Sequence, residues 1–164
     1  MLIERLGKDH ARIAGVVREF AAVAESADDP AGWQRLSELV EFLDYYADRI
    51  HHPLEDRLFD HLVSKGLTPT ERHLVFKNLG QHQEIGAMTE ALAAQIAESV
   101  KGGTIDLDSF REAAAGYVSL QRRHMRFEES HLFPLLDAEF DNRDWNALMG
   151  ILESTSESGQ ETHE

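Results

Sequence analysis

Four long stretches of the chain space their apolar residues three and four positions apart, and no stretch alternates apolar with polar residues as a half-buried strand would. The first is the plainest: Ile3, Leu6, Ile13, Val17, Phe20, Ala21 and Ala24 fall on one helical face, with His10 among them. A helix of this kind must bury its apolar stripe. Four of them joined by short loops do so by closing into an up-down-up-down bundle. The pattern therefore predicts an all-α four-helix bundle.

Local punctuation places the helices. The first is expected over residues 2–25. The stretch SADDPAGW (26–33) has a loop's composition, so the second helix is expected from Trp33 to Lys65, stopped by Gly66. Pro53 should kink it, because proline removes an interior hydrogen bond. Thr68, Pro69 and Glu71 supply an N-cap, a first-turn proline and a capping-box acid, and the third helix should run from there to Lys101-Gly102-Gly103. The fourth should begin at Asp106 or Asp108 and reach Glu139, and after the turn DNRD a short fifth helix is expected around Asp144 to Leu152. The bundle domain then fills residues 1–152, and the polar, acidic remainder (153–164) is expected to be disordered.

Composition excludes several function classes. Across 164 residues, 16 Lys and Arg face 30 Asp and Glu, a formal net charge of −14 that would repel a phosphate backbone or an anionic membrane. No apolar run approaches the ~18 residues of a membrane span, so neither nucleic acid nor membrane is expected as a partner, and the cytoplasm is the expected location. The absence of cysteine removes thiolate zinc sites, iron–sulfur clusters and cysteine nucleophiles together. Any bound metal must use His, Asp or Glu.

Those residues lie on the apolar stripes. His51 and Glu55 are four apart, as are His124 and Glu128, so each pair projects from one helix face. The first pair lies within the stripe Ala47, Leu54, Leu58 and Leu62, the second within Tyr117, Leu120, Phe127 and Leu135; His82 lies between Val75, Leu79, Ile85 and Ile96. Height is the stronger test. Counted from the turn near 66–68, His51 and Glu55 lie about 15 and 11 residues back and His82 about 14 forward, at ~1.5 Å each. From the turn near 102–106, His82 is about 20 residues back, and His124 and Glu128 about 18 and 22 forward. His10 and His51 are similarly far from the first loop, so six groups meet on one layer. Two buried carboxylates without cations would each face a desolvation cost of several kcal/mol. A register shift by one residue would instead recruit His52 with Asp56, or Glu129. His131, three residues after Glu128, stays inward as a seventh ligand or as a support for one. Asp56 and Glu129 read as outward-facing or as supports, and His61, His73 and His163 as surface residues.

Nitrogen and oxygen donors without sulfur suit iron, manganese or zinc, and two carboxylates able to bridge favour a pair of ions, with iron leading. Ferritin-like bundles use two Glu-x-x-His motifs, whereas only Glu128 to His131 fits here.

At this point His10, the segment HHPLED, His82 in GQHQEIG and the segment HMRFEESHLFP together resemble the hemerythrin-like family, the HHE cation-binding domains, over residues 3–139. The resemblance implies a four-helix bundle around two non-haem iron ions, with manganese as an alternative. In that scheme Glu55 and Glu128 bridge alongside an oxo or hydroxo group, and His10, His51, His82 and His124 are terminal ligands. Oxygen-carrying members place a second histidine four residues after the first on helix three, and that position here is Gly86. The resemblance thus turns from reversible oxygen carriage towards branches tied to nitrosative or oxidative stress, iron–sulfur repair, or iron and oxygen sensing. Gly86 would leave an open coordination position and a small pocket for dioxygen, nitric oxide or peroxide, with Tyr117 lining the pocket or simply packing.

Three functions follow as expectations. The first is a di-iron protein that binds, senses or reduces such a small molecule, with a peroxide- or nitric-oxide-reducing or catalase-like activity left open. The second is an iron-handling or sensing module acting through a protein partner. The third, a metal-free helical interaction module, predicts that chelation leaves stability unchanged. No Gly-x-Ser-x-Gly, His-Glu-x-x-His or Gly-rich phosphate loop supports hydrolysis.

Overall fold

The computed structural model describes residues 2–148. The expected end of the fifth helix, the tail over 153–164 and His163 lie outside these residues. Among the described residues all regular structure is helical. Helix α1 (Leu2–Ser26) buries Leu2, Leu6, His10, Ile13, Val17, Phe20 and Ala24 along a single stripe.

The second rod starts before Trp33. Asp29 caps α2 (Pro30–Phe42) by accepting from the Gly32 amide at 2.7 Å, and Pro30 sits in the first turn, where a missing N–H is harmless. Much of what reads as loop in SADDPAGW is therefore cap and first turn. The rod continues through a π-helical stretch, π1 (Leu43–His51), into α3 (His52–Ser64). Pro53 gives the physical reason for π1. It has no N–H for the carbonyl four residues back and its ring crowds that carbonyl, so the turn widens and the His52 N–H bonds Ala47 instead. The strain expected at Pro53 appears as this widened turn, which inserts one residue into the helical register.

Helix α4 (Pro69–Val100) opens on the expected capping box: the Glu71 N–H donates to Thr68 Oγ1, and the Thr68 N–H donates to Glu71 Oε2 at 2.8 Å. Asp106, not Asp108, caps α5 (Leu107–Phe127), accepting from the Asp108 and Ser109 amides. A second π-helical stretch, π2 (Glu128–Leu132), leads into α6 (Phe133–Glu139) and again directly precedes a proline, Pro134. Gly66 (φ +90°) and Gly102 (φ +82°) end α3 and α4 in the left-handed conformation that glycine adopts without strain.

Helix α1 packs against α2 and α5, and α4 packs against the same two, so the four rods close into a ring. The core inside it is split. One apolar cluster holds Ile13, Phe20, Leu43, Ala47, Ile85, Tyr117 and Leu120; the other holds Leu6, Leu54, Leu58, Val75, Leu132 and Phe133. On every rod the residues between the two clusters are polar: His10, His51 with His52 and Glu55, Asn78 with His82, and His124 with Glu128. A final helical segment over 142–148 caps the second cluster with Leu148. His61 and Lys65 anchor it, reaching Asp144 at 2.8 and 2.6 Å, so His61 is half-buried and engaged rather than a free surface residue.

Candidate metal centre

The polar layer is where the sequence pattern places it. His10, His51, Glu55, His82, His124 and Glu128 are all buried, both glutamates completely. Their atoms converge. Glu55 Oε1 lies 3.5 Å from His10 Nε2 and 3.3 Å from His51 Nε2, and Glu55 Oε2 lies 3.5 Å from His82 Nε2. Glu128 Oε2 lies 3.1 Å from His10 Nε2 and 3.3 Å from His124 Nε2, and Glu128 Oε1 lies 3.3 Å from His82 Nε2. His10 and His82 thus touch both carboxylates, while His51 touches only Glu55 and His124 only Glu128. Single donor atoms of Glu55, His82, His124 and Glu128 fall within 4.8 Å of one another, as do those of His10, His51 and Glu55. Glu55 belongs to both groups.

The imidazoles are held from behind. His82 Nδ1–H donates to Asp56 Oδ1 at 2.6 Å, His10 Nδ1–H to Glu129 Oε1 at 2.9 Å, and His124 Nδ1–H to Gln81 Oε1 at 3.3 Å. His51 Nδ1 sits 3.6 Å from Asp9 Oδ2, and Asp9 Oδ1 accepts from the Tyr46 hydroxyl at 2.6 Å. A carboxylate or amide on Nδ1 fixes the tautomer that turns the Nε2 lone pair inward, the arrangement metal-binding histidines use. Asp56 and Glu129 are therefore supports, the second of the two roles the sequence allows them.

The electrostatics of the layer follow from how closely its carboxylates and imidazoles approach. Burial alone would depress His10, yet the close carboxylates of Glu128 and Glu55 hold it up at about 10. Burial likewise opposes His82, but Asp56, Glu128 and Glu55 keep it well above the usual histidine range. Burial would raise Glu128, and the surrounding His124, His10 and His82 pull it far below the usual carboxylate range. His124, by contrast, is pushed down to about 3 by burial and stays neutral. The buried glutamates thus favour the charged forms of His10 and His82.

Metal uptake must displace those protons. With His10 and His82 protonated at neutral pH, apparent metal affinity should rise with pH, by roughly tenfold per pH unit for each proton released. Calorimetric titration at pH 6, 7 and 8 checks this, and a pH-independent affinity contradicts it. In the metal-free protein the sign is opposite. The His10 contribution to stability is complete below about 6.5 and is lost as pH rises towards about 10.

The atoms facing the centre of the layer fit a cation. His10 Nε2, His51 Nε2, both oxygens of Glu55, His124 Nε2 and Glu128 Oε2 are buried and make no hydrogen bond. Leaving such atoms unsatisfied costs ~1–3 kcal/mol each, a cost that coordination removes. The description of the Hemerythrin HHE cation binding domain matches residues 1–136. The chain belongs to that family. No curated protein matches it. As an HHE domain it carries a cation-binding bundle, and its His and Glu cluster suits metal ions, iron being typical.

Some residues of this hemerythrin domain differ from the sequence expectation. His131 is exposed rather than inward: π2 rotates it outwards, and it stacks on Phe127 with its Nδ1–H donating to the Phe127 carbonyl at 3.1 Å. Asn78, whose amide makes it a poor metal ligand, is fully buried and donates to Glu128 Oε1 at 2.8 Å. Its place one turn before His82 on the same stripe is the signal that could have found it. His52 is buried beside His51 and not in place of it, because the residue inserted by π1 brings both inward. His73 is exposed, as expected.

Gly86 is half-buried, and a Cβ built on it meets nothing within 4 Å. Tyr117 is fully buried against Phe20, and its hydroxyl accepts from Gln121 at 3.0 Å and from Thr89 at 3.3 Å. Thr89 lies one turn beyond Gly86, so helical spacing sets the open place at Gly86 between His82 and the Tyr117–Thr89 pair. Among the described residues no helix is long and apolar enough to cross a membrane.

Proposed function

We propose that His10, His51, Glu55, His82, His124 and Glu128 hold two iron ions, bridged by the two glutamates, and that the pair binds or reduces dioxygen, nitric oxide or peroxide. The single observation that carries this reading is the set of buried, unbonded donor atoms shared between two groups through Glu55. Iron bound there would supply redox-active, Lewis-acidic positions for such a molecule. The chain's own residues do the rest. Asp56, Glu129 and Gln81 orient three imidazoles. Phe133 stacks on His10 at 5.1 Å and, with the apolar clusters above and below, keeps water out of the layer. His10 and His82 would give up their protons to make room for metal, offsetting part of the positive charge that the ions bring. Gly86 leaves room for a small molecule to approach beside His82, and the buried Tyr117–Thr89–Gln121 group bounds that approach.

Elemental analysis of purified protein beside a His51→Ala, His124→Ala double variant tests the reading. About two irons per chain, lost in the double variant, are expected. Anaerobically reduced protein should then change its absorption spectrum on mixing with peroxide or nitric oxide. No iron in either protein after anaerobic loading contradicts the proposal.

One observation favours a second reading, an iron-handling or sensing module that passes iron or its signal to a protein partner. His10 and His82 are held in their charged forms by the buried carboxylates of the layer, which favours a bundle that stays folded when metal leaves. Rapid transfer of iron to a competing chelator, with the fold retained, would select this reading over turnover.

A further inference from the structure

His52 has no part in the six-residue scheme, yet it is 4% exposed and faces the polar layer. Consecutive residues of an α-helix point about 100° apart, and the extra residue of π1 is what brings His51 and His52 inward together. The His52 ring stacks on that of His82 (centroids 4.3 Å, planes at 13°) and stands edge-on to that of His124 (5.3 Å, 89°). One ring nitrogen from each of His52, His82 and His124 falls within 4.8 Å of the other two. Its Nδ1 lies 3.1 Å from Asp48 Oδ1, one turn back on the same rod, leaving Nε2 as the nitrogen available to an ion. His52 thus has a carboxylate beside its Nδ1 from its own rod, where His10 and His82 take theirs from neighbouring rods.

We propose that His52 is a further metal ligand, joining His82 and His124 on one ion, with Asp48 as the positioning residue that fixes its tautomer. The proposal rests on the dinuclear reading above. It makes the two ions unequal, three imidazoles against the two of His10 and His51.

Anaerobic titration of the chelator-stripped full chain with Fe(II), by calorimetry, and with Co(II), by visible absorption, tests it. Wild type should take up two ions. His52→Gln should weaken one of them by at least tenfold to a hundredfold, leave the other unchanged and alter the Co(II) spectrum. Asp48→Asn should weaken the same ion about tenfold, and exposed His73→Gln should behave as wild type. Thermal unfolding of each metal-free variant separates a lost ligand from a lost fold, and Asp48→Asn carries the test should His52→Gln fail to fold. Two ions bound by His52→Gln with wild-type affinities and an unchanged Co(II) spectrum would overturn the proposal while sparing the dinuclear reading. Fewer than two ions in wild type would overturn both.

Discussion

Stripping metal from the protein should lower its midpoint of thermal unfolding by roughly 8–16 °C. Ions held by the proposed site would bind only the folded chain, because the six donors come from four separate rods and meet only when the bundle closes. At a free metal concentration about a thousand times the dissociation constant, such binding stabilises the native state by ~4 kcal/mol. For a chain of this size each kcal/mol moves the midpoint by ~2–4 °C. The nitrogens and oxygens of the layer that make no hydrogen bond are the structural source of the effect, since coordination would satisfy them. Calorimetry of one preparation with and without chelator, at constant pH, measures it. Superimposable transitions would favour a metal-free interaction module and end the cofactor reading.

Glu128→Ala should cost the metal-free protein about 3–5 kcal/mol, the usual result of removing one member of a buried ion pair. Glu128 is fully buried and serves four partners: the Asn78 amide at 2.8 Å and the imidazoles of His10, His82 and His124. Its loss strands the Asn78 donor and leaves the His10 and His82 charges facing Glu55 alone. Glu128→Gln keeps an oxygen for Asn78 while removing the charge, so a smaller cost of ~1–3 kcal/mol is expected. Glu55→Ala should fall below Glu128→Ala, because Glu55 receives no amide hydrogen bond. Urea unfolding under chelator gives all three values. Equal costs for Glu128→Ala and Glu128→Gln would show that Asn78 contributes nothing.

The line between what was legible in the sequence and what was not runs through particular residues. His10, His51, Glu55, His82, His124 and Glu128 were legible because a ligand on a bundle helix must share the apolar stripe, and the 3.6-residue period makes that stripe visible. Helix ends were legible where the capping chemistry is local, as at Thr68 and Glu71. At Asp29 and Pro30 the same chemistry was present, but the loop-like composition around it hid the start of α2.

Periodicity and capping act within a few residues of each position, and they are enough to encode an all-helical bundle and a layer of six inward donors. Which residues stand behind those donors is set by the closed bundle. Asp56 on α3 serves His82 on α4, Glu129 on π2 serves His10 on α1, and Asn78 on α4 serves Glu128 on π2. These pairings depend on how far each rod is rotated and slid against its neighbours, which no local pattern encodes. The two π-helical stretches belong to the same category. Each adds one residue to the register before a proline, turning His52 towards the layer and His131 away from it. A strict 3.6-residue count misses both, because the widened turn forms only where the backbone must relieve proline's lost hydrogen bond while packing holds the rod in line.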